Sequence, residues 1–73
     1  MLKEVQITLL NGYEKSYLTE TEAFLTKKQD GWDMIGFQEV GKQRNKWIPV
    51  GANIKEIRIY DAETGRRLKT IMA

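Results

Sequence analysis

Few side chains in this sequence are of the types that perform catalysis. The 73 residues include no histidine and no cysteine, so the commonest general base, the commonest metal ligand and the thiolate nucleophile are all missing. The lone serine, Ser16, has no G-x-S-x-G motif around it and is interpreted as a solvated strand residue. We therefore expect a protein that is not an enzyme and that uses no metal and no cofactor.

Pairs of carboxylates are the remaining candidates for acid–base chemistry. Three pairs lie close together along the chain: Glu20 with Glu22, Asp30 with Asp33, and Asp61 with Glu63. A helix start explains the first pair, a turn explains the second, and a hairpin tip explains the third. The glycines form no phosphate-binding loop motif, so nucleotide chemistry is not indicated either.

Surface recognition is the chemistry that the composition does favour. One segment, residues 41–47, interleaves three cations with two amide side chains and an indole. Lysine and arginine neutralise phosphates, and an indole can stack on an unpaired base. A second cluster follows the final hairpin, where Arg58, Arg67 and Lys69 are expected to share one sheet face. The predicted binding residues are Lys42, Arg44, Lys46, Trp47, Arg58, Arg66, Arg67 and Lys69.

The charge distribution supports the same interpretation. Residues 1–40 carry a net charge of −3 and residues 41–73 carry +5, for a total of +2. Such asymmetry favours nucleic acid or an acidic protein surface as the partner. One alternative is that the two oppositely charged halves pack side by side in one small domain. Another is that Trp32 and Trp47 are core anchors and that the cations at hairpin tips only keep the protein soluble and block edge pairing. The leading hypothesis is a nucleic-acid-associated accessory module, and a protein-interaction module, such as a small regulator or inhibitor, is the alternative.

The first strands that would position these residues are indicated by alternation and by a turn signal. Val5, Ile7 and Leu9 alternate with polar residues, which predicts a half-buried strand with these three side chains facing inward. The Asn11-Gly12 dipeptide that follows predicts a hairpin with a type I′ turn. Residues 13–18 are then the returning strand.

A short helix is predicted over residues 20–29. Thr19 and Glu22 have the spacing of a capping box, and Lys27 and Lys28 lie where the helix dipole favours cations. The apolar face of this helix would be narrow. The competing interpretation is therefore a long second strand that runs through residues 24–25.

Four further strands are predicted in the second half of the chain. They cover residues 32–40, with Gly36 as a bulge or a close-approach point, and residues 46–50, with Pro49 at an edge or end. The last two, residues 54–61 and 66–72, form a hairpin with Gly65 in a left-handed conformation. The predicted fold is α+β: a small, strongly β-rich single domain, residues 1–73, with the order β-β-α-β-β-β-β. An SH3-like or Sm-like small β-barrel is the alternative.

Two short segments have counterparts in small barrels. The pattern Val5-x-Ile7-x-Leu9-x-Asn11-Gly12 resembles the first strand and turn of Sm-like barrels, and residues 47–50 are similar to the closing strand of SH3 domains. The base-binding residues of the first family and the aromatic ligand groove of the second have no counterpart in this sequence. The resemblance therefore implies a barrel-like strand pattern, and no family is assigned.

The sequence gives limited information about the location of the protein in the cell. No apolar run approaches the roughly 20 residues that cross a bilayer, and the first residues do not have the pattern of a secretory signal. We expect a cytoplasmic protein with no membrane partner. Without disulfides to stabilise so small a core, a homodimer is also a reasonable expectation.

Overall fold

All the regular secondary structure described in the computed structural model is β-strand. The structure describes residues 1–27, 33–51 and 53–72. The seven strands are β1 (Lys3–Leu9), β2 (Glu14–Thr19), β3 (Phe24–Lys27), β4 (Asp33–Gln38), β5 (Asn45–Val50), β6 (Ile54–Asp61) and β7 (Arg67–Met72). Across these described ranges no helix is long and apolar enough to cross a membrane.

The strands form two antiparallel sheets. The larger sheet has the order β2-β1-β6-β7, and the smaller has the order β3-β4-β5. Two contacts join the end of β2 to the residues after β4. They are a bridge between Thr19 and Glu39 and a 2.9 Å hydrogen bond from the Val40 amide to the Leu18 carbonyl. The two sheets are thus linked at one end of β2, next to the loop that leads into β5.

The core lies between the facing sides of the two sheets. Alternate residues of β1 and β6 supply one wall, and Ile35 and Phe37 of β4 supply the other. The rings of Tyr17 and Phe37 meet across the interface with centroids 5.5 Å apart. The inward orientation predicted for Val5 and Ile7 is confirmed, because both are almost completely buried.

The predicted α+β fold is wrong, because the predicted helix does not form within the described part of residues 20–29. Residues 24–27 form β3, and residues 28–29 lie outside the described part of the chain. Thr19 does not cap a helix: its fully buried hydroxyl donates to the Gln38 carbonyl at 2.6 Å and accepts from the Thr21 amide at 3.1 Å. Strand pairing with β4 satisfies the backbone of this segment better than a helix too short to be stable alone. The competing strand interpretation is nearer the structure, although β2 and β3 are separate strands.

The two hairpin predictions have different outcomes. Gly65 has φ = +76° and donates its amide to the Asp61 carbonyl, which confirms the predicted left-handed conformation. The predicted type I′ turn at Asn11-Gly12 is wrong, because only Gly12 has positive φ. The Asn11 side chain instead accepts a hydrogen bond from the Tyr13 amide, and the Gly12 amide donates to the Leu9 carbonyl. This geometry leaves Asn11 in an ordinary turn conformation.

Candidate nucleic-acid interface

An aromatic pair lies on the outer face of the smaller sheet. Phe24 of β3, Gly36 of β4 and Trp47 of β5 are directly opposite one another across the three strands. Phe24 and Trp47 are two strands apart, a separation of two spacings of about 4.8 Å each, and Gly36 leaves an empty space between their side chains. The Trp47 ring lies over Gly36, and its centroid is 5.5 Å from that of Phe24 in an edge-to-face arrangement. We call these three residues the aromatic platform.

The glycine is essential to this geometry. A Cβ atom built on Gly36 would lie 2.4 Å from Cζ3 of Trp47 and 2.8 Å from Cε3. The predicted close approach at Gly36 is therefore confirmed, and no bulge interrupts the register of β3, β4 and β5 there. Pro49 is also placed as predicted, near the end of an edge strand.

The platform is open to solvent. Phe24 is 43% exposed and Trp47 is 41% exposed, although each packs against the other. The prediction that Trp47 anchors the core is wrong, since it lies on the opposite side of its sheet from the buried cluster. Trp32, the other predicted anchor, lies outside the described residues. The sheet face thus presents two aromatic surfaces that a flat apolar group can contact.

A cationic loop borders the platform. Residues 39–44, which we call the basic loop, connect β4 to β5 and carry the exposed Lys42 and Arg44. Gln38 faces the same side as Gly36, and its side-chain amide donates to the Lys42 carbonyl at 3.1 Å. This bond holds the loop against the platform end of the sheet. Within the described ranges no carboxylate lies within ion-pair distance of Lys42 or Arg44.

Lys46 faces away from the platform. It is adjacent to Trp47 on β5, so the two side chains point to opposite faces of the sheet. Its Nζ atom lies 5.0 Å from the centroid of the Tyr17 ring and 4.0 Å from a Glu39 oxygen. The structure therefore separates Lys46 from Trp47, with which it was predicted to act.

Arg58 is surrounded by carboxylates on the outer face of the larger sheet. Its Nη2 atom lies 3.1 Å from Glu14 Oε1, and its Nε atom lies 3.2 Å from Glu56 Oε1 without the geometry of a hydrogen bond. The guanidinium also lies 5.6 Å from the centroid of the Tyr60 ring. These contacts leave Arg58 with little uncompensated charge.

The prediction that Lys69 shares a face with Arg58 is wrong. A bulge at Leu68 shifts the register, so that Lys69 is opposite Ile59 and Thr70 is opposite Arg58. Lys69 accordingly points to the other face of the sheet, where its Nζ atom lies 3.6 Å from a Glu22 oxygen.

Glu22 also accepts a hydrogen bond from the ammonium group of Lys3 at 2.7 Å. The hydrogen bond and charge of Lys3, with a smaller contribution from Lys69, hold the pKa of the Glu22 carboxyl below its ordinary value. Glu22 thus ties the segment between β2 and β3 to β1 and β7.

The charge asymmetry of the sequence is partly neutralised inside the fold. Three ion pairs join a carboxylate of the acidic first half to a cation of the basic second half: Glu39 with Lys46, Glu14 with Arg58, and Glu22 with Lys69. Only four of the eight predicted binding residues are exposed cations without such a partner in the described structure. They are Lys42, Arg44, Arg66 and Arg67.

Those four cations belong to two hairpins in different sheets. Lys42 and Arg44 are in the basic loop of the smaller sheet, whereas Arg66 and Arg67 are at the start of β7 in the larger sheet. The first pair adjoins a sheet face with two exposed aromatic rings, whereas Arg67 is opposite the half-buried Tyr60. The basic loop also lines a small depression of about 190 Å³, in which Lys42 is accompanied by Glu20 and Glu39. No cluster of potential metal ligands occurs among the described residues.

Phe24 is the functional candidate that sequence reasoning missed. It was assigned to a helix or strand as an apolar residue, and nothing local to it indicates a solvent-facing role. The available signal was Gly36 in the middle of a strand, because a strand glycine is commonly covered by an aromatic side chain from a neighbouring strand. The partner strands can be identified only from the register, which the sequence pattern did not supply.

Comparison with known proteins adds no relative. No protein-family model matches the sequence, and no curated protein or solved structure matches the chain. Its function must therefore be inferred from the chemistry of its own surface.

Proposed function

We propose that this protein binds single-stranded nucleic acid through the outer face of the β3-β4-β5 sheet. The observation that carries the proposal is the exposed edge-to-face pair of Phe24 and Trp47 beside two cations that have no carboxylate partner in the described structure. A cytoplasmic location and a non-catalytic role are part of the same proposal.

The chemistry of the platform suits unpaired bases. Every base has a flat π face, so stacking on Phe24 or Trp47 tolerates any sequence, and it contributes about 1–3 kcal/mol per base. Lys42 and Arg44 supply the complementary contact with the phosphate backbone. The outward-facing amide side chain of Asn45 lies between the cations and the rings and can hydrogen-bond to base edges.

A protein partner is the second candidate. Leu18 and Val40 are each more than 40% exposed, and the hydrogen bond between their backbones joins β2 to the loop after β4. Exposed apolar and aromatic side chains of this kind are common anchors of protein interfaces. In contrast to nucleic-acid binding, this function would not require Lys42 or Arg44.

The test is a fluorescence-anisotropy titration of a labelled single-stranded oligonucleotide at several salt concentrations. We expect saturable binding in which Trp47→Leu or Phe24→Leu weakens affinity by about five-fold or more, since each removes a stacking surface. Lys42→Met and Arg44→Met should each reduce the magnitude of the salt dependence by about 0.7 in the log–log slope. Circular dichroism of each variant establishes that the fold is intact.

Two matched variants make the test specific. Lys55→Met removes an exposed cation from β6 and should leave binding almost unchanged. The double variant Arg66→Met with Arg67→Met removes the cations of the other sheet's hairpin. If that double variant abolished binding while Trp47→Leu did not affect it, the platform would be the wrong surface. Absence of any binding at about 10 μM protein and low salt would reject a nucleic-acid function.

A further inference from the structure

A second surface, unrelated to the platform, lies where the two sheets separate. A cleft of about 530 Å³ lies between the inner side of β1 and β2 and the end of β5. This volume lies within the range of small-molecule sites in proteins, roughly 300–1,000 Å³.

The walls of the cleft are mainly apolar. The apolar lining comes from both sheets and from the start of β6: Ile7, Leu9, Tyr17, Ile48, Pro49 and Ile54. Three of these side chains, Leu9, Tyr17 and Ile48, are only partly buried although they pack against the core. An apolar ligand would therefore cover surface that the fold leaves in contact with water.

The polar lining of the cleft is sparse among the described residues and includes one cation, Lys15; the ammonium group of Lys46 lies nearby, 5.0 Å from the Tyr17 ring, and is 4.0 Å from a Glu39 oxygen. Lys15 and Asn53 supply the polar side chains. Lys15 is opposite Ile7 in the register of β1 and β2, so it extends from the face that lines the cleft. The neighbouring carboxylate, Glu14, points to the other face, where it is engaged by Arg58. Within the described residues Lys15 has no carboxylate within ion-pair distance.

We propose that this cleft binds a small amphipathic anion, of the class of medium-chain carboxylates. The apolar chain would lie between β2 and β5 against Tyr17 and Ile48, and the carboxylate would pair with the ammonium group of Lys15. The charge of Lys15 next to apolar walls favours this occupant over a neutral apolar molecule. This inference is independent of nucleic-acid binding, because the cleft lining shares no residue with the platform or the basic loop.

The experiment is a titration of the ¹⁵N-labelled protein with decanoate, octanoate and decanol, each below its aggregation concentration and followed by NMR. We expect saturable shifts at Ile7, Ile48 and Ile54, and none at the β6–β7 hairpin. Decanoate should bind about ten-fold more tightly than octanoate, since each further buried CH₂ group strengthens binding about four-fold at most. Decanoate should also bind about three- to five-fold more tightly than decanol, as expected for one partly solvated ion pair.

Lys15→Met provides the decisive variant, because it keeps an aliphatic side chain and removes the charge. It should bind decanoate and decanol equally, whereas Arg66→Met, which removes a charge from the β6–β7 hairpin outside the cleft, should retain the preference for decanoate. Equal binding of decanoate and decanol by the wild-type protein would overturn the proposal. A dimer whose interface shifts the same cleft residues would also overturn it, because a second copy of the chain would then be the occupant.

Discussion

Replacing Gly36 with alanine should displace the Trp47 ring and so disrupt the aromatic platform. The new Cβ atom would lie 2.4 Å, 2.8 Å and 2.9 Å from three carbon atoms of the Trp47 ring, where ordinary contact begins near 3.4 Å. The indole must therefore move outward by about 1 Å, which is well within the range at which packing energy is lost. That movement separates Trp47 from Phe24, whose ring centroid is now 5.5 Å away.

The expected cost is the sum of two effects. Forcing extra volume into a packed site costs about 1–3 kcal/mol, and loss of an aromatic pair costs about 0.5–1.5 kcal/mol. We therefore expect Gly36→Ala to lower the free energy of unfolding by about 1.5–4.5 kcal/mol, with a midpoint of about 3 kcal/mol. For a domain of this size, the midpoint corresponds to a decrease in Tm of roughly 10–20 °C.

The assay is thermal and urea unfolding by circular dichroism, arranged as a double-mutant cycle with Trp47→Leu. In the Trp47→Leu background no ring covers Gly36, so the same alanine should cost little, because alanine is tolerated better than glycine in a strand. We expect a coupling free energy of at least about 1 kcal/mol between the two positions. If Gly36→Ala were equally destabilising in both backgrounds, contact with Trp47 would not be the reason for the glycine.

Three further predictions concern the contacts that hold the sheets together. Thr19→Val should lower the free energy of unfolding by about 2–3 kcal/mol, because it leaves the Gln38 carbonyl without its buried hydroxyl donor. Thr19→Ser keeps the hydroxyl and should cost only about 1 kcal/mol. Urea titrations measure both, and a valine variant as stable as the wild type would refute this role of Thr19. Because its lysine partners lower the pKa of Glu22, its stabilising effect is present above the ordinary carboxyl pKa and is lost as pH falls through the lowered value. The Tm difference between wild type and Glu22→Gln should therefore shrink on acidification, and a difference independent of pH would contradict the ion pairs. Gly65→Ala should lower the free energy of unfolding by about 1–2 kcal/mol because of the positive φ alone, since no atom lies within 4 Å of the added Cβ. An unchanged Tm would show that the turn adopts another conformation without a loss of stability.

The strands with regular alternation could be predicted from the sequence. Branched apolar side chains alternate with polar ones at residues 5, 7 and 9 of β1 and at residues 57 and 59 of β6, and Val5, Ile7, Ile57 and Ile59 are all buried as that pattern requires. The hairpin between β6 and β7 was also predictable, because Gly65 supplies the left-handed conformation that closes it.

Features that depend on distant residues could not be predicted in the same way. Thr19 and Glu22 have the spacing of a capping box, yet their side chains serve contacts with β4, β1 and β7 that no local pattern reveals. The bulge at Leu68 reverses the face of Lys69, and a single unpaired residue leaves no periodic signal in the sequence.

The candidate site was recovered in part for the same reason. Lys42, Arg44 and Trp47 were found from composition, and they do adjoin one sheet face. Lys46 and Arg58 were grouped with them by charge alone, but each has an intramolecular carboxylate partner. Net charge along the sequence thus overstated the basic surface, since ion pairs between the two halves become visible only when the fold is known.

The most direct test of nucleic-acid binding by the platform is NMR mapping of a short single-stranded oligonucleotide on the ¹⁵N-labelled protein. We predict that the shifted amides and the Trp47 indole N–H cluster on the outer side of the smaller sheet and in the basic loop, with Phe24, Gly36 and Asn45 among the largest changes. Shifts confined to the hairpin that carries Arg66 and Arg67, with Phe24 and Trp47 unaffected, would contradict the account.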